Sequence, residues 1–492
     1  MYKNPIIYAD YSDPDVIRVG EDFYMVASSF TYLPGVPILH SKDLVHWELI
    51  NYAVPSLPSP RYDLPRHGSG TWAPSLRHQN GVFYIFIPLP DEGIYVARSK
   101  DIRGHFRLNC LAEAKGWIDP CPLWDDDGKA YIVFAYANSR CGKKHRLAMV
   151  EIDPDCTHLI GKVQEIFHKE EIAPTIEGPK LYKKDGLYYI FAPAGGVEQG
   201  WQAVLRSPSI WGPYEYKAVL QQGNTSINGP HQGGWVTAPD GSDWFIHFQD
   251  VMELGRITHL QPMHWEAGWP VMGNSGEPVT HCRLPVAGAP HYEIAQSDDF
   301  DGRLGLQWQW QANPRQDFYS ISDSGLRLNC LSNPARENLL WYAPNALTQI
   351  PQHKSLCAQA KLTLHPDQPG DFASLGMLGH RYAYLALEDG YLRLYTGNVA
   401  ETQDLGKAEE TLTTELVYSL SSVYLRLVLL DGKTYRFYWS SDAAQYHPIG
   451  EPMPLYRATW TGAKLCLWAS NRHNHPSEGF GEYAYLHIFP YL

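Results

Sequence analysis

The chain has few positive charges and no concentrated group of them. Its 492 residues include 40 Lys and Arg against 53 Asp and Glu, which gives a formal net charge of −13 at pH 7. A surface of this sign repels phosphate backbones and anionic lipid headgroups. The sequence also contains no run of about 18 apolar residues, the length that a membrane-spanning helix needs. We therefore expect neither a nucleic-acid nor a membrane partner.

Cysteine is also scarce and scattered. The eight cysteines form no Cys-x-x-Cys pair and no cluster with histidine, so the sequence indicates neither a zinc site nor a redox pair. Dense disulfide frameworks are typical of short secreted chains, so we expect reduced thiols here. The N-terminal residues lack the charged and apolar regions of a signal peptide, and we expect a cytoplasmic location.

Several common catalytic motifs are missing as well. There is no Gly-x-Ser-x-Gly elbow, no phosphate-binding loop and no dinucleotide fingerprint. Helical periodicity is almost absent. Aromatic residues, in contrast, make up 13% of the chain, including 32 Tyr and 16 Trp. This enrichment is typical of β-strands, and it supplies flat faces on which sugar rings stack.

A turn glycine followed by an aromatic-rich strand occurs five times in residues 1–285. The glycines are Gly20, Gly81, Gly128, Gly186 and Gly241, and neighbouring ones are 47 to 61 residues apart. From Gly81 onward the pattern is that of a tight hairpin. The spacing matches a four-stranded blade with its loops, so the region is predicted to be a five-bladed β-propeller.

One chemically distinctive residue precedes each of these turns by seven to ten positions. The five residues are Asp13, Trp72, Asp119, Glu177 and His231. The first strand of each blade lines the central axis of a propeller, and equivalent positions of successive blades face the same place. We therefore expect three carboxylates, a tryptophan and a histidine to converge on one pocket.

The repeats stop before a segment at 286–297, which we interpret as a linker. Residues 298–492 show alternation at 356–364 and 424–429 and have hairpin signals at Asp389-Gly390 and Asp431-Gly432. This pattern predicts a β-sandwich of jelly-roll type, so the fold class is all-β. The region has no acidic motifs of comparable spacing, and the chemistry is therefore assigned to the propeller.

Paired carboxyls are what glycoside hydrolysis requires. One protonates the leaving oxygen, and the other activates water or attacks the sugar. Asp13, Asp119 and Glu177 supply both groups and a third that can adjust a neighbour's pKa. Asp15 is an alternative base to Asp13, because residues i and i+2 of a strand share a face. A sugar-binding propeller without catalysis is the non-enzymatic alternative, but it would not need three converging acids.

Motifs around these positions resemble glycoside hydrolase family 43, which holds β-xylosidases, α-L-arabinofuranosidases and arabinanases. The matching segments are residues 11–16, 69–74, 117–120, 176–181 and 229–235. Residues 304–310 resemble the start of the C-terminal sandwich in the two-domain, β-xylosidase-like branch of this family. The resemblance thus extends over essentially the whole chain.

The resemblance implies an inverting mechanism and a role for each acid. Asp13 corresponds to the general base and Glu177 to the general acid. Asp119 corresponds to the carboxylate that tunes the pKa and orientation of the acid. Arg256 matches an arginine that reaches a sugar hydroxyl.

The remaining pocket residues are also implied by the family. Phe30 and Trp72 match aromatic walls of the first sugar subsite. His231 matches an axial histidine that contacts a hydrated calcium ion in some relatives and only the hydrogen-bond network of the site in others. No cofactor is therefore required, and a calcium ion near the propeller axis remains an alternative.

The expected activity is exo-acting release of single pentoses from the non-reducing ends of xylo-oligosaccharides. The alternative is an α-L-arabinofuranosidase or an enzyme of dual specificity on arabinoxylan. In the resembling branch the sandwich packs on the propeller and helps to close the pocket, and Trp460 and Phe480 are the candidate lid residues. An oligosaccharide is the expected partner, and the sequence leaves a homo-oligomer open.

Overall fold

The computed structural model describes residues 1–333, 337–400 and 406–491. Within these residues, 20 strands form five antiparallel four-stranded sheets, one per predicted blade. A short strand, β1 (Tyr2–Lys3), precedes them. Blade 1 contains β2 (Asp15–Val19), β3 (Asp22–Val26), β4 (Gly35–Ser41) and β5 (Trp47–Val54). Blade 2 contains β6 (Ser75–Gln79), β7 (Val82–Leu89), β8 (Gly93–Ser99) and β9 (Arg107–Ala112).

The other three blades repeat this order. Blade 3 contains β10 (Trp117–Trp124), β11 (Ala130–Tyr136), β12 (Arg146–Ile152) and β13 (Leu159–His168). Blade 4 contains β14 (Lys180–Lys184), β15 (Leu187–Ala194), β16 (Trp201–Ser207) and β17 (Glu215–Leu220). Blade 5 contains β18 (His231–Thr237), β19 (Asp243–Asp250), β20 (Arg256–Glu266) and β21 (Trp269–Met272). A four-residue helix, α1 (Asn138–Cys141), interrupts blade 3.

The five turn glycines lie where the repeat predicted them, between the first and second strands of each blade. Their φ angles run from +65° at Gly20 to +84° at Gly128 and Gly241. Side chains with a Cβ atom rarely adopt this left-handed region, which explains the glycine at each turn. The prediction of a five-bladed propeller is confirmed.

The blades pack side by side around an axis. The first strand of blade 1 packs on those of blades 2 and 5, and the first strand of blade 3 on those of blades 2 and 4. Five buried apolar clusters lie between neighbouring sheets, and the cluster between blades 1 and 2 includes Val26, Ile38, Leu76 and Ile85. Hydrophobic burial between blades therefore holds the inner strands in place.

The N-terminal segment closes the ring by binding to blade 5 and the segment after it. β1 pairs with β22 (His281–Cys282) in a two-stranded sheet. The buried Asn4 side chain donates to the carbonyls of Leu260 and Val279 at 2.8 Å and accepts the Leu260 N–H at 2.9 Å. One side chain thus satisfies three backbone groups at the point of closure.

Beyond the linker, two seven-stranded sheets face each other across a large apolar core, which confirms the predicted sandwich. One sheet has the order β23 (Gln309–Trp310), β26 (Leu347–Gln349), β35 (Lys464–Asn471), β28 (Asp371–Leu378), β29 (Arg381–Glu388), β30 (Tyr391–Val399) and β31 (Ala408–Val417). The other has the order β24 (Tyr319–Ser322), β25 (Gly325–Asn329), β36 (Phe480–Pro490), β27 (Leu356–His365), β32 (Ser422–Leu430), β33 (Thr434–Ser440) and β34 (His447–Pro454).

The sandwich is attached to the propeller by main-chain hydrogen bonds as well as by packing. Leu33 and Trp310 exchange backbone N–H···O bonds of 2.9 and 2.6 Å across the boundary. The ring of His67 stacks on Trp341 at 3.5 Å, and burial lowers the pKa of this histidine to about 3, so it is neutral. All eight cysteines are free. No helix in the described ranges has the length and apolar character to cross a membrane.

Asn4→Ala is expected to lower the apparent melting temperature by several degrees. The substitution removes the partner of the Leu260 N–H and of the Val279 carbonyl, at a cost of about 1–3 kcal/mol for each unsatisfied group, whereas the Leu260 carbonyl keeps its hydrogen bond from the Tyr2 hydroxyl. Thermal unfolding followed by circular dichroism at one scan rate measures the change. Asn224→Ala, at an exposed position, is the matched control. Equal melting temperatures for the two variants would contradict this account of ring closure.

Candidate active site

All five blades and the sandwich contribute to one cavity of about 370 Å³. Its lining includes Asp13, Trp72, Asp119, Glu177, Arg256 and Trp460. The structure therefore brings the three predicted acids together, with Phe30 and Arg256 beside them. His231 is fully buried and does not line this cavity; it lies behind Glu177.

The backbone presents the two aspartates to the cavity in the same unusual way. Asp13 and Asp119 have φ angles of +55° and +56°, and each precedes a proline. A residue before proline normally takes an extended conformation, so this left-handed conformation is unfavourable and is held by the surrounding fold. Around Asp119 the pairing register of β10 also shifts, which makes a bulge. The left-handed conformation, together with the bulge at Asp119, directs these carboxylates towards the cavity.

Asp13 is held by two hydroxyl groups and by a guanidinium. It is buried, and it accepts hydrogen bonds from the hydroxyls of Ser12 and Ser28. Arg256 Nη1 lies 3.1 Å from Oδ1 and 3.4 Å from Oδ2 of Asp13. A buried guanidinium at this distance offsets the cost of burying the negative charge.

Arg256 is itself fixed from several directions. Its guanidinium lies 4.9 Å from the ring centre of Phe248, and its Nε is 3.9 Å from Oδ2 of Asp250. Burial disfavours its charge, but the carboxylates of Asp13 and Asp250 outweigh burial, so the pKa of Arg256 is raised. The side chain stays cationic, and its position beside the base is determined by the end of β19 and the start of β20.

Asp119 is buried next to a second carboxyl group. Burial, followed by the charge of Glu177, raises the pKa of Asp119 to about 7. The backbone N–H of Gly178 donates to Oδ2 of Asp119 at 2.8 Å and partly offsets this effect. Asp119 is therefore harder to ionise than a free aspartate.

His231 orients Glu177. Its Nε2 lies 2.9 Å from Oε1 of Glu177, whereas its buried Nδ1 has no partner among the described residues. We assign the proton to Nε2, because an unpartnered lone pair on Nδ1 costs less than an unpartnered N–H. Glu177 Oε1 then accepts from His231, and Oε2 is the oxygen left for a substrate.

Aromatic rings form one side of the cavity. Phe30 and Thr71 exchange backbone hydrogen bonds of 2.9 and 3.0 Å, which join the loops of blades 1 and 2. The rings of Phe30 and Trp72 have centroids 6.1 Å apart, and Trp460 of the sandwich meets Trp72 edge-on at 6.2 Å. The guanidinium of Arg140, from α1, lies 5.4 Å from the ring centre of Trp72. The predicted aromatic walls are present, and the sandwich adds a third.

Two predicted alternatives lie elsewhere. Asp15 is fully buried, and its Oδ2 accepts from the backbone N–H of Leu76 and from Arg77 Nη1, both at 2.8 Å. This carboxylate ties blade 1 to blade 2 and does not line the cavity. Phe480, a candidate lid residue, is outside the cavity as well, because it begins β36 and stacks on His365 at 4.6 Å. Of the two candidates, only Trp460 reaches the site.

Sequence reasoning missed several residues of the site. Ser28 binds Asp13, and its only signal was its position beside Phe30. Gln232 lines the cavity from a bulge in β18, directly after His231. Asn138 and Lys144 line it from a segment of blade 3 that interrupts the repeat, so no periodic signal marked them.

Two residues that line this cavity carry buried donors without partners. Trp72 Nε1 and Gln232 Nε2 have no hydrogen-bond partner in the part of the chain that the structure describes. Buried donors normally find acceptors, so these two are exceptions in the structure.

A metal site is not apparent at the cavity. Among the described residues, one group of three metal-ligating side chains is close enough to share an ion, namely Asp43, His46 and His291, and none of them lines the cavity. Calcium takes six to eight oxygen ligands. The single free nitrogen of His231 does not fit such a cage.

Comparison with known proteins agrees with this geometry. The model of glycosyl hydrolases family 43 matches residues 2–270, and that of the β-xylosidase C-terminal concanavalin A-like domain matches residues 297–491. A putative β-xylosidase of Xylanibacter ruminicola is 35% identical over 477 residues, which cover 95% of this chain and 86% of that protein. A non-reducing-end α-L-arabinofuranosidase of Bacteroides ovatus is 30% identical over 76% of this chain and 73% of its own length.

The fold comparison covers the complete chain. A family 43 protein from Bacillus licheniformis superposes with a TM-score of 0.84 at 25% identity, with 100% of both chains covered. The sequence matches, the shared two-domain fold and the three convergent acids lead to one assignment. The chain belongs to glycosyl hydrolase family 43.

Proposed function

We propose that this family 43 glycosidase removes single pentose units from the non-reducing ends of xylo-oligosaccharides, with inversion at the anomeric carbon. The observation that carries the proposal is the placement of Asp13, Asp119 and Glu177 in one cavity whose wall is completed by Trp460. A cavity closed by a second domain favours the end of a chain over its middle.

The local environment of each acid supports its role. The base must be ionised, and the ion pair of Asp13 with Arg256 favours that state. Asp13 would take a proton from water as the water oxygen attacks the anomeric carbon. Glu177 would give its proton to the glycosidic oxygen, and the leaving sugar departs as an alcohol. The charge of Asp119 makes the loss of the last proton of the Asp119–Glu177 pair unfavourable, so the acid stays protonated.

The lining of the cavity supports a sugar substrate. The rings of Phe30 and Trp72 provide apolar faces on which a sugar ring can stack. A β-D-xylopyranoside and an α-L-arabinofuranoside present similar hydroxyl patterns. We place the xyloside first, since the relatives named as β-xylosidases match the most of this chain.

The proposal requires no cofactor. Every proton transfer is assigned to a side chain of the cavity.

The proposed function predicts that α-xylose is the first product from 4-nitrophenyl β-D-xylopyranoside. Inversion converts a β-linkage into an α-anomer, and proton NMR in the first minutes detects it before mutarotation. The matched arabinofuranoside, assayed in parallel, decides the preferred sugar. Prior dialysis against EDTA should leave the rate unchanged. A β-anomer as first product, or no release from either glycoside, would reject the proposal.

Glu177→Gln and Asp13→Asn are expected to differ in their dependence on the leaving group. Glu177→Gln should nearly abolish cleavage of xylobiose but slow the nitrophenyl substrate less, because nitrophenolate departs without a proton. Asp13→Asn should reduce both rates by at least about 10²–10⁴-fold, since both need activated water. Asp15→Asn is the control: if it abolished turnover and Asp13→Asn did not, the base would be Asp15.

Asp119→Asn should move the alkaline decline of kcat/KM to lower pH by about one unit or more. The acid must be protonated, and a neighbouring negative charge delays the loss of that proton as the pH rises. The amide removes this charge and can still accept the N–H of Gly178. A pH–rate profile between about 4 and 9 on xylobiose measures the shift. An unchanged or higher alkaline midpoint would contradict the role of Asp119.

A further inference from the structure

Asp10 connects the two domains at the edge of the cavity without lining it. It is 8% exposed and lies on the segment that leads to Asp13. Its Oδ1 accepts the backbone N–H of Arg256 at 2.9 Å, and its Oδ2 accepts the backbone N–H of Gly462 at 2.8 Å. One carboxylate thus holds blade 5 with one oxygen and the sandwich with the other.

The two backbone donors belong to segments that carry residues of the site. Arg256 places its side chain on Asp13, and Gly462 is two residues beyond Trp460. The next residue, Ala463, fixes the same side of the Trp460 loop, because its N–H donates to the Glu253 carbonyl at 2.8 Å. A displacement of Asp10 would therefore reach both the neighbour of the base and the sandwich wall.

Close packing shows that this contact is specific. A Cβ atom on Gly255 would lie 2.4 Å from Cγ of Asp10. A Cβ atom on Gly462 would lie 2.4 Å from the carbonyl carbon of Leu254 and 2.7 Å from the nitrogen of Gly255. Glycine at both positions permits Gly255 to pack on the carboxylate and the Gly462 segment to pack on residues 254 and 255.

The charge of Asp10 has one nearby compensating cation in the sandwich. Burial raises the pKa of Asp10, and Lys464 together with the two N–H donors opposes this shift. Burial lowers the pKa of Lys464 to about 8, and Asp10 opposes that shift in turn. Lys464 lies in β35, two residues after Gly462, so the cation comes from the same part of the sandwich as the N–H donor.

We propose that Asp10 is a positioning residue that sets Arg256 and the Trp460 loop in register with each other, so that the sandwich completes the sugar-binding wall. The inference rests on the proposed function. Asp10 does not contact substrate; it acts through the two backbone segments that it binds.

A double-mutant cycle tests the coupling. Asp10→Asn keeps the shape of the side chain but has one acceptor oxygen, so one of the two N–H groups loses its partner and faces an amide donor. We expect kcat/KM on the nitrophenyl pentoside to fall about ten- to a hundredfold, mainly through KM. Trp460→Ala should also raise KM. The double variant should lose clearly less than the product of the two single losses, because both changes remove the same wall.

The control is Asp371→Asn, which changes an equally buried aspartate of the sandwich. Asp371 accepts the backbone N–H groups of Asp367 and Gln368 at 2.8 and 2.9 Å. The Asp371→Asn variant should have a lower melting temperature but a KM near the wild-type value. Its effect on kcat/KM should multiply with that of Trp460→Ala. If Asp10→Asn behaved like Asp371→Asn, or if its effect multiplied with that of Trp460→Ala, the proposal would be wrong.

Hydrogen exchange tests the same contact without using activity. In Asp10→Asn, peptides that contain the amides of Arg256 and Gly462 should exchange at least about tenfold faster than in Asp371→Asn. Unchanged exchange of the Arg256 and Gly462 amides would overturn the inference, whatever the substrate is. If the wild-type protein released no pentose but these amides responded, the proposed function alone would fail.

A second variant covers the case in which Asp10→Asn does not fold. Gly462→Ala keeps Asp10 but pushes the loop away from Leu254. Like Asp10→Asn, the Gly462→Ala variant should have a higher KM and faster amide hydrogen exchange in the Trp460 loop. Wild-type values for both measurements would again overturn the inference.

Discussion

The site depends on keeping three carboxyl groups together in one cavity, two of them buried. Burying a charge without a partner is costly, so each acid has a specific partner. Asp13 has the Arg256 guanidinium, Asp119 has the N–H of Gly178, and Glu177 has the imidazole of His231. None of these contacts drives folding. The apolar clusters between the blades supply the stability that allows this arrangement to persist.

The cavity also depends on the second domain. The propeller supplies the acids, but one aromatic wall is Trp460, whose loop is bound to blade 5. The boundary is crossed by paired backbone bonds between Leu33 and Trp310 and by the stacked His67 and Trp341. Such contacts hold the two domains at a fixed distance. The sandwich is therefore part of the site, as the resemblance to the two-domain branch implied when it named Trp460 as a lid candidate.

Features with a local cause could be predicted from the sequence. The hairpin glycines mark the blades because left-handed φ angles favour glycine, and Asp13, Asp119 and Glu177 were located by their position seven to nine residues before such a glycine. No local pattern reveals the bulge that places Gln232 at the cavity, or the contacts of Asp10. Both depend on partners that are distant in the chain. Phe480 was assigned wrongly to the lid because an aromatic residue near a turn looks the same whether it faces a cavity or a strand neighbour.

The order of the blades sets the charged neighbour of each carboxyl group. Blades 5 and 1 are neighbours, so the cation of Arg256 lies against Asp13. Blades 3 and 4 are neighbours, so Glu177 lies near Asp119, and burial together with the charge of Glu177 raises the pKa of Asp119. The blades are alike in fold, and what differs is the side chain that each presents at the equivalent position. A ring of equivalent positions can thus hold carboxyl groups in different electrostatic environments within one cavity, because each has a different neighbour.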